Sequence, residues 1–318
     1  MTQTQIPQDP QIPQDPQIPQ DPQIPQDSSQ ILKSIQEQDD ALHQEVMSHL
    51  KGSERWIYRL QEKLNRNPSR ESLTMRVTSL VGEPFIRLIT KHRWKIRHIE
   101  RIEHLKSDAG ILVISNHRSF FDMFYLMTML RTKCPHIGNP CNFAVRAPFF
   151  YDHPLGFLIN FLMAGSSMWP PIFRDERRNQ LNPLMLKVIS RLIGEKKVSF
   201  GLHPEGARQK NMSPFEMASP RKGIGQILLD CPENVVIIPV FLYGLTNSVT
   251  HELKMALKTA KKDEDFVHFY IGEPLLAKDF QQLSAQDIAL KIMSEVQKLA
   301  DEAKIHDDAQ QALKQASL

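Results

Sequence analysis

The sequence predicts an α/β fold, with a mixed and largely parallel central sheet flanked by helices and preceded by an N-terminal helical region. Two observations carry this expectation. After Asp108, short apolar runs rich in β-branched or aromatic residues alternate with stretches whose apolar residues recur every three or four positions. That order builds strand–helix–strand units, with helices covering the sheet faces and functional loops at strand ends. In addition, 318 residues with 41% hydrophobic content suffice for a sizeable buried core.

From Gln5 to Ser28 the chain repeats Gln-Ile-Pro-Gln-Asp-Pro. Each Pro fixes its own backbone angle and restricts the residue before it, so residues 1–28 are expected to form a disordered or extended tail. The alternative, a short recognition ligand, lacks an aromatic or basic anchor. Residues 29–93 form the predicted helical region. Ile31, Ile35, Leu42, Val46, Leu50, Ile57, Leu60 and Leu64 recur mostly at helical steps among polar residues. A second apolar stretch, residues 73–90, is followed by Lys91, His92, Arg93, Trp94, Lys95 and Arg97. Apolar and basic side chains together suit a membrane surface, while packing on the core with a solvated basic face is the competing reading.

Residues 94–304 are the predicted catalytic domain. Strands are expected at 111–115, 198–202, 235–241 and 266–271, and helices at 123–130, 184–193, 223–229 and 286–304. Residues 94–99 read equally as a strand or a helix continuation. The uncharged stretch 154–173 reaches spanning length, but Pro154, Gly156, Gly165, Pro170 and Pro171 interrupt it, which favours an embedded loop or buried helix. The polar residues 305–318 are expected to fray.

A net charge of +3 is compatible with an anionic lipid surface or phosphorylated substrate but too weak to argue for nucleic acid, and no nucleic-acid partner is expected. Cys134, Cys141 and Cys231 make neither a disulfide framework nor, with the histidines, a zinc cluster. A reducing, cytoplasmic setting is expected. The opening Met1-Thr2-Gln3-Thr4-Gln5 lacks the basic and apolar regions of a signal peptide, which disfavours export.

Two constellations carry chemistry. The strand Ile111-Leu112-Val113-Ile114-Ser115 runs directly into Asn116-His117-Arg118-Ser119-Phe120-Phe121-Asp122. Asp122 could fold back to hold one imidazole nitrogen of His117, leaving the other to take a proton from an attacking hydroxyl. Ser119 is a candidate cap for the following helix. Spacing alone is weak evidence, because 12 histidines and 18 aspartates in 318 residues give about 0.7 such pairs by chance. The strand-to-helix setting adds the weight. The second constellation is Val198-Ser199-Phe200-Gly201-Leu202 followed by His203-Pro204-Glu205-Gly206-Ala207-Arg208. There Gly206 permits close approach to the backbone and Arg208 can grip a phosphate in bidentate fashion.

These segments resemble the glycerolipid acyltransferase family, the phosphate-acceptor enzymes that include 1-acylglycerol-3-phosphate acyltransferase. Four blocks occur in family order over roughly residues 94–276: Asn116 to Asp122, Pro171-Ile172-Phe173-Arg174, His203 to Arg208, and Val236-Ile237-Ile238-Pro239-Val240. Lys222-Gly223 resembles a further pair that opens a helix. The resemblance implies a glycerol-3-phosphate acyltransferase-like fold, with His117 and Asp122 as catalytic residues. It implies acceptor and phosphate binding by Arg174, Glu205, Gly206, Arg208 and Lys222.

It further implies an acyl-CoA or acyl carrier protein donor, no metal or other cofactor, and a lysophospholipid or glycerol phosphate acceptor. The expected setting is the cytoplasmic side of a membrane, held peripherally or monotopically. His203 replaces the family's usual aromatic residue, Ala207 its usual threonine or serine, and Gln209 and Lys210 the usual small polar follower. These departures fall at the acceptor site and leave a different head group open. A non-catalytic lipid-binding protein is the rival from another class. A hydrolase lacks both a metal cluster and a Gly-x-Ser-x-Gly elbow in this sequence.

Overall fold

The computed structural model describes residues 26–316, except 51, 67–72, 75–90 other than 80, 84 and 87, then 106–108, 139–140, 147–157, 159–160, 162–163, 174–177, 196–197, 210–211, 247 and 259–264. The repeat tail through residue 25, most of the 73–90 stretch and much of 154–173 therefore lie outside the described residues.

Contacts divide the chain into two units, Met1–Glu45 and Val46–Leu318. Helix α1 (Gln26–His49) crosses the boundary. Within the first unit, His43 lies 3.5 Å from Asp39 one turn earlier.

The second unit contains helix α2 (Gly52–Arg66) and the sheet. One face of α2 buries Ile57, Tyr58, Gln61 and Asn65. Tyr58 packs on Trp169 with ring centroids 4.7 Å apart. Asn65 donates to the Ser166 carbonyl at 3.2 Å and accepts from Asn142 at 3.1 Å. For this face of α2, packing on the core is the observed arrangement.

The main strands are β1 (Trp94–Arg97), β2 (Ile111–Ser115), β3 (Cys141–Phe143), then β6 (Ser199–Leu202), β7 (Val236–Tyr243), β8 (Val267–Ile271) and β9 (Leu275–Leu276). Their order is β1-β8-β7-β2-β6-β3, with β9 also alongside β7. β1 with β8, β2 with both β6 and β7, and β3 with β6 are parallel, while β7 meets β8 and β9 antiparallel. The sheet is thus mixed and largely parallel, as the strand–helix alternation implies. β4 (Val145–Arg146) and β5 (Pro171–Ile172) pair separately.

Strand β2 is buried along its whole length between β6 and β7, which is why it reads as an unbroken apolar run. The longer helices of the unit after α2 are α3 (Asp122–Lys133), α4 (Asn182–Gly194), α5 (Gly223–Leu229), α6 (Val249–Leu257) and α7 (Ala285–Ala316). Residues 94–97 resolve as a strand because β8 supplies a parallel partner in register from Trp94↔Val267. The expected fraying of 305–318 is corrected: α7 continues to Ala316. Beyond residue 304 the Tyr270 hydroxyl meets His306 Nδ1 at 3.2 Å, and Gln311 bonds Asp307 at 2.8 Å one turn earlier. A polar sequence stays helical where the sheet and its own i,i+4 pairs support it.

Candidate active site

Strand β2 delivers its last residue, Ser115, to the mouth of the sheet, and the next seven residues form a tightly bonded loop. Asn116 is buried and imitates a strand edge: its amide donates to the Leu242 carbonyl at 2.8 Å and accepts the Leu242 N–H at 2.9 Å. His117 follows with Nδ1 3.0 Å from Asp122 Oδ2. The same oxygen accepts the N–H of Arg118 at 2.6 Å and of Ser119 at 2.8 Å. A carboxylate can only accept, so His117 Nδ1 carries the proton and Nε2 is left with its lone pair.

Asp122 is fully buried, and burial raises its pKa to about 6 against the opposing pull of the two amide donors. Ser119 is not the helix cap the sequence suggested, since α3 begins at Asp122 after Phe121 with no side-chain cap. Its hydroxyl donates instead to the Thr246 carbonyl and accepts from the Phe121 N–H at 3.2 Å. The Asp122 carboxylate has already taken the loop's N–H groups, which leaves the Ser119 hydroxyl to tie the loop to the turn after β7.

The turn after β6 wraps His117 from the neighbouring strand. Glu205 Oε1 accepts the His117 N–H at 2.7 Å, and the Gln209 N–H donates to the His117 carbonyl at 3.0 Å. Both backbone polar groups of His117 are thereby held by this one turn. Glu205 is buried, and burial raises its pKa against its bond from the His117 N–H. Gly206 adopts φ 67°, a left-handed angle that glycine takes without strain. A Cβ there would come within 2.8 Å of Arg221 Cδ and Nε. Arg221 is also anchored by its N–H to the Pro204 carbonyl at 2.9 Å.

Arg118 is buried and donates to the Ser213 carbonyl at 2.7 Å and to the Glu216 carbonyl, pinning segment 213–216 beside the loop. Burial lowers its pKa, with Glu205, Asp122 and Glu216 opposing. Chemically, the arrangement offers an imidazole Nε2 able to accept a proton, a carboxylate fixing its tautomer, and a glycine turn with cations nearby.

A protein-family model described as Acyltransferase matches residues 96–243, from within β1 to the end of β7 and across both loops just described. The chain is similar to the chloroplastic 1-acyl-sn-glycerol-3-phosphate acyltransferase BAT2 of Brassica napus, at 23% identity over 194 residues, covering 54% of this chain and 50% of that protein. It therefore spans about half the length of that curated relative. Among solved structures it is similar to the 1-acyl-sn-glycerophosphate (LPA) acyltransferase PlsC from Thermotoga maritima, with 18% identity and a TM-score of 0.46 over 75% of this chain and 83% of that one.

Within the matched residues, His117, Asp122, Glu205 and Gly206 come together. Arg208 stands at the exposed end of the same turn. Lys222 is exposed immediately before α5, beside the Arg221 that touches Gly206. Arg174 lies outside the described residues. Sequence reasoning passed over Ser115, Asn116, Arg118 and Arg221, and read Gln209 only as a departure from the family pattern. The signal for Asn116 and Arg118 was their place beside His117. For Ser115, Gln209 and Arg221 it lay in pairing geometry that spacing does not carry.

Proposed function

We propose that this protein is an O-acyltransferase that moves a fatty-acyl group from acyl-CoA or an acyl carrier protein to the hydroxyl of a lysophosphatidic acid-like acceptor, in phospholipid biosynthesis at a membrane surface. The observation that carries the proposal is the His117 imidazole bonded through Nδ1 to buried Asp122 at the end of β2. In this reading, Nε2 takes the acceptor hydroxyl proton as the oxygen attacks the thioester carbonyl. The tetrahedral intermediate then expels the thiolate, which leaves as thiol with the proton from His117, and the product is the ester.

Asp122 keeps the imidazole in one tautomer and stabilises its charged form. Arg208, Lys222 and Arg174 supply the positive charge that an acceptor phosphate requires, and Gly206 lets that phosphate approach the backbone. Glu205 holds the His117 backbone and so supports the acceptor site from beneath. Positioning is the main contribution to rate in such a site. Among the described residues no helix is long and apolar enough to cross a membrane, so a peripheral or monotopic contact is the proposed mode.

The test is acyl transfer from labelled acyl-CoA by purified protein. His117→Ala is expected to lower kcat at least about a thousandfold. Turnover equal to wild type would remove the base. A second reading, transfer to another lysophospholipid, to glycerol 3-phosphate or to an aminoacyl lipid, is motivated by His203 and Ala207 at the acceptor turn. An acceptor panel separates the two, since use of lysophosphatidic acid alone rejects it.

A further inference from the structure

His203 lies face to face with His117, the ring centroids 4.3 Å apart and the planes inclined by 3°. Parallel rings at that separation are in contact, so His117 cannot tilt toward His203 without a clash. On β3, Phe143 stands with its ring centroid 6.0 Å from that of His203, in space that Gly201 leaves open: a Cβ there would come within 2.5 Å of the Phe143 ring. His203 is fixed in turn by Ser115, whose hydroxyl lies 3.0 Å and whose carbonyl lies 3.2 Å from Nδ1.

A carbonyl only accepts, so Nδ1 carries the His203 proton. Nε2 is buried with no hydrogen-bond partner, and a second proton there would be a charged donor left unsatisfied. Burial, reinforced by the charge that His117 takes up, pushes the His203 imidazole down to about 3. The titratable groups that act on it are His117 and Asp122 from the loop after β2.

We propose that His203 is a positioning residue for acyl transfer, a neutral imidazole anchored by Ser115 that fixes the plane of the His117 ring and lies against the imidazolium formed there during proton transfer. The inference rests on the function proposed above. A neutral flat ring can support a cation across its face, whereas a second positive charge stacked at this distance would oppose it. This also gives a reason for the pairing of His203 with Ser115: the anchor selects the tautomer whose buried nitrogen stays unprotonated.

The experiment compares His203→Leu, which keeps volume but removes the flat face, with His203→Phe, which restores it. His203→Leu is expected to lose about tenfold to a hundredfold in kcat with acceptor KM within about twofold, and His203→Phe to recover most of the loss. Unchanged kcat in His203→Leu overturns the inference. So does a loss expressed in KM and not rescued by Phe, which would make His203 an acceptor ligand. Nitrogen NMR of labelled histidine in the wild-type protein is read alongside and needs neither turnover nor a variant that folds. It should show His203 as one neutral Nδ1–H tautomer from about pH 5 to about pH 8, and titration within that window overturns the inference by itself. If wild-type protein transfers no acyl group to any acceptor, the proposed function falls and the inference falls with it. An active wild type with an indifferent His203 sinks the inference alone.

Discussion

At Asp122 a carboxylate is held out of water with three donors on Oδ2, while Oδ1 is buried without a partner. Its pKa rises from the ordinary 3.8 to about 6 because burial outweighs those donors. The folded protein therefore binds this proton more tightly than the unfolded chain does. That contribution to stability is fully present below about pH 4 and is lost as pH rises through about 6. Relative to Asp122→Asn, which does not titrate, the wild-type protein is expected to lose about 2 kcal/mol of stability between pH 4 and 7. Urea unfolding of both proteins across this range checks it, and parallel profiles would refute it. The same protonation should lower wild-type kcat below about pH 6, because a neutral Asp122 no longer holds the charged form of His117. The spacing of His117 and Asp122 was nearly a chance event in this composition. What makes it a site is the reversal of the chain that brings residue 122 back over 117, and sequence context hinted at that through the strand ending at Ser115.

Among the elements, the loop after β2 is fastened on both sides: to β7 by Asn116 and to the turn after β6 by the backbone of His117. Asn116→Ala would strand the N–H and carbonyl of Leu242 inside the sheet. A loss of about 2–4 kcal/mol is expected from two buried groups left unsatisfied, together with reduced kcat as His117 loosens. Thermal unfolding and turnover on the same sample check this, and a variant as stable as wild type would mean that water replaces the amide. Strand β2 was legible to the residue because it is buried on both sides and bounded by a change of texture. Strands β3, β4 and β5, of three, two and two residues, were not, since no periodicity can be read from so few positions. β1 was ambiguous for a different reason: its pairing with β8 lies more than 170 residues away in the chain.

Across the molecule, the buried pair Arg93–Glu252 at 3.1 Å joins the entrance of the sheet to α6. Arg93 also donates to the Asp265 carbonyl at 2.9 Å and to the Tyr125 hydroxyl at 3.1 Å. Glu252 receives the Thr246 N–H at 2.7 Å, and the Thr246 carbonyl receives the Ser119 hydroxyl. A chain of contacts thus runs from residue 93 to the loop that carries His117. Arg93→Met would leave Glu252 as an uncompensated buried charge, and a loss of about 3–5 kcal/mol is expected. The double variant Arg93→Met with Glu252→Gln should recover part of it. Denaturant unfolding of wild type and the two variants checks the pair, and equal stability of single and double variants would refute it. From sequence, Arg93 read as one of a basic cluster suited to a membrane surface, and only its buried partner distinguishes it from its neighbours.

The sequence by itself determined the α/β class, four of the strands, the helices that follow them and the residue types brought to the strand ends. These follow from patterns whose period is local, and from a family order of blocks. Tertiary structure decided what those residues do to one another. The parallel register of β2 with β6, Ile114↔Leu202, is what sets Ser115 beside His203 and His117 beside Glu205. It also turned Glu205 inward to the His117 backbone, laid His203 on the His117 ring and brought Arg221 against Gly206. Each of those contacts depends on strand register and on how the turns fold back, and hydrophobic spacing along the chain carries neither.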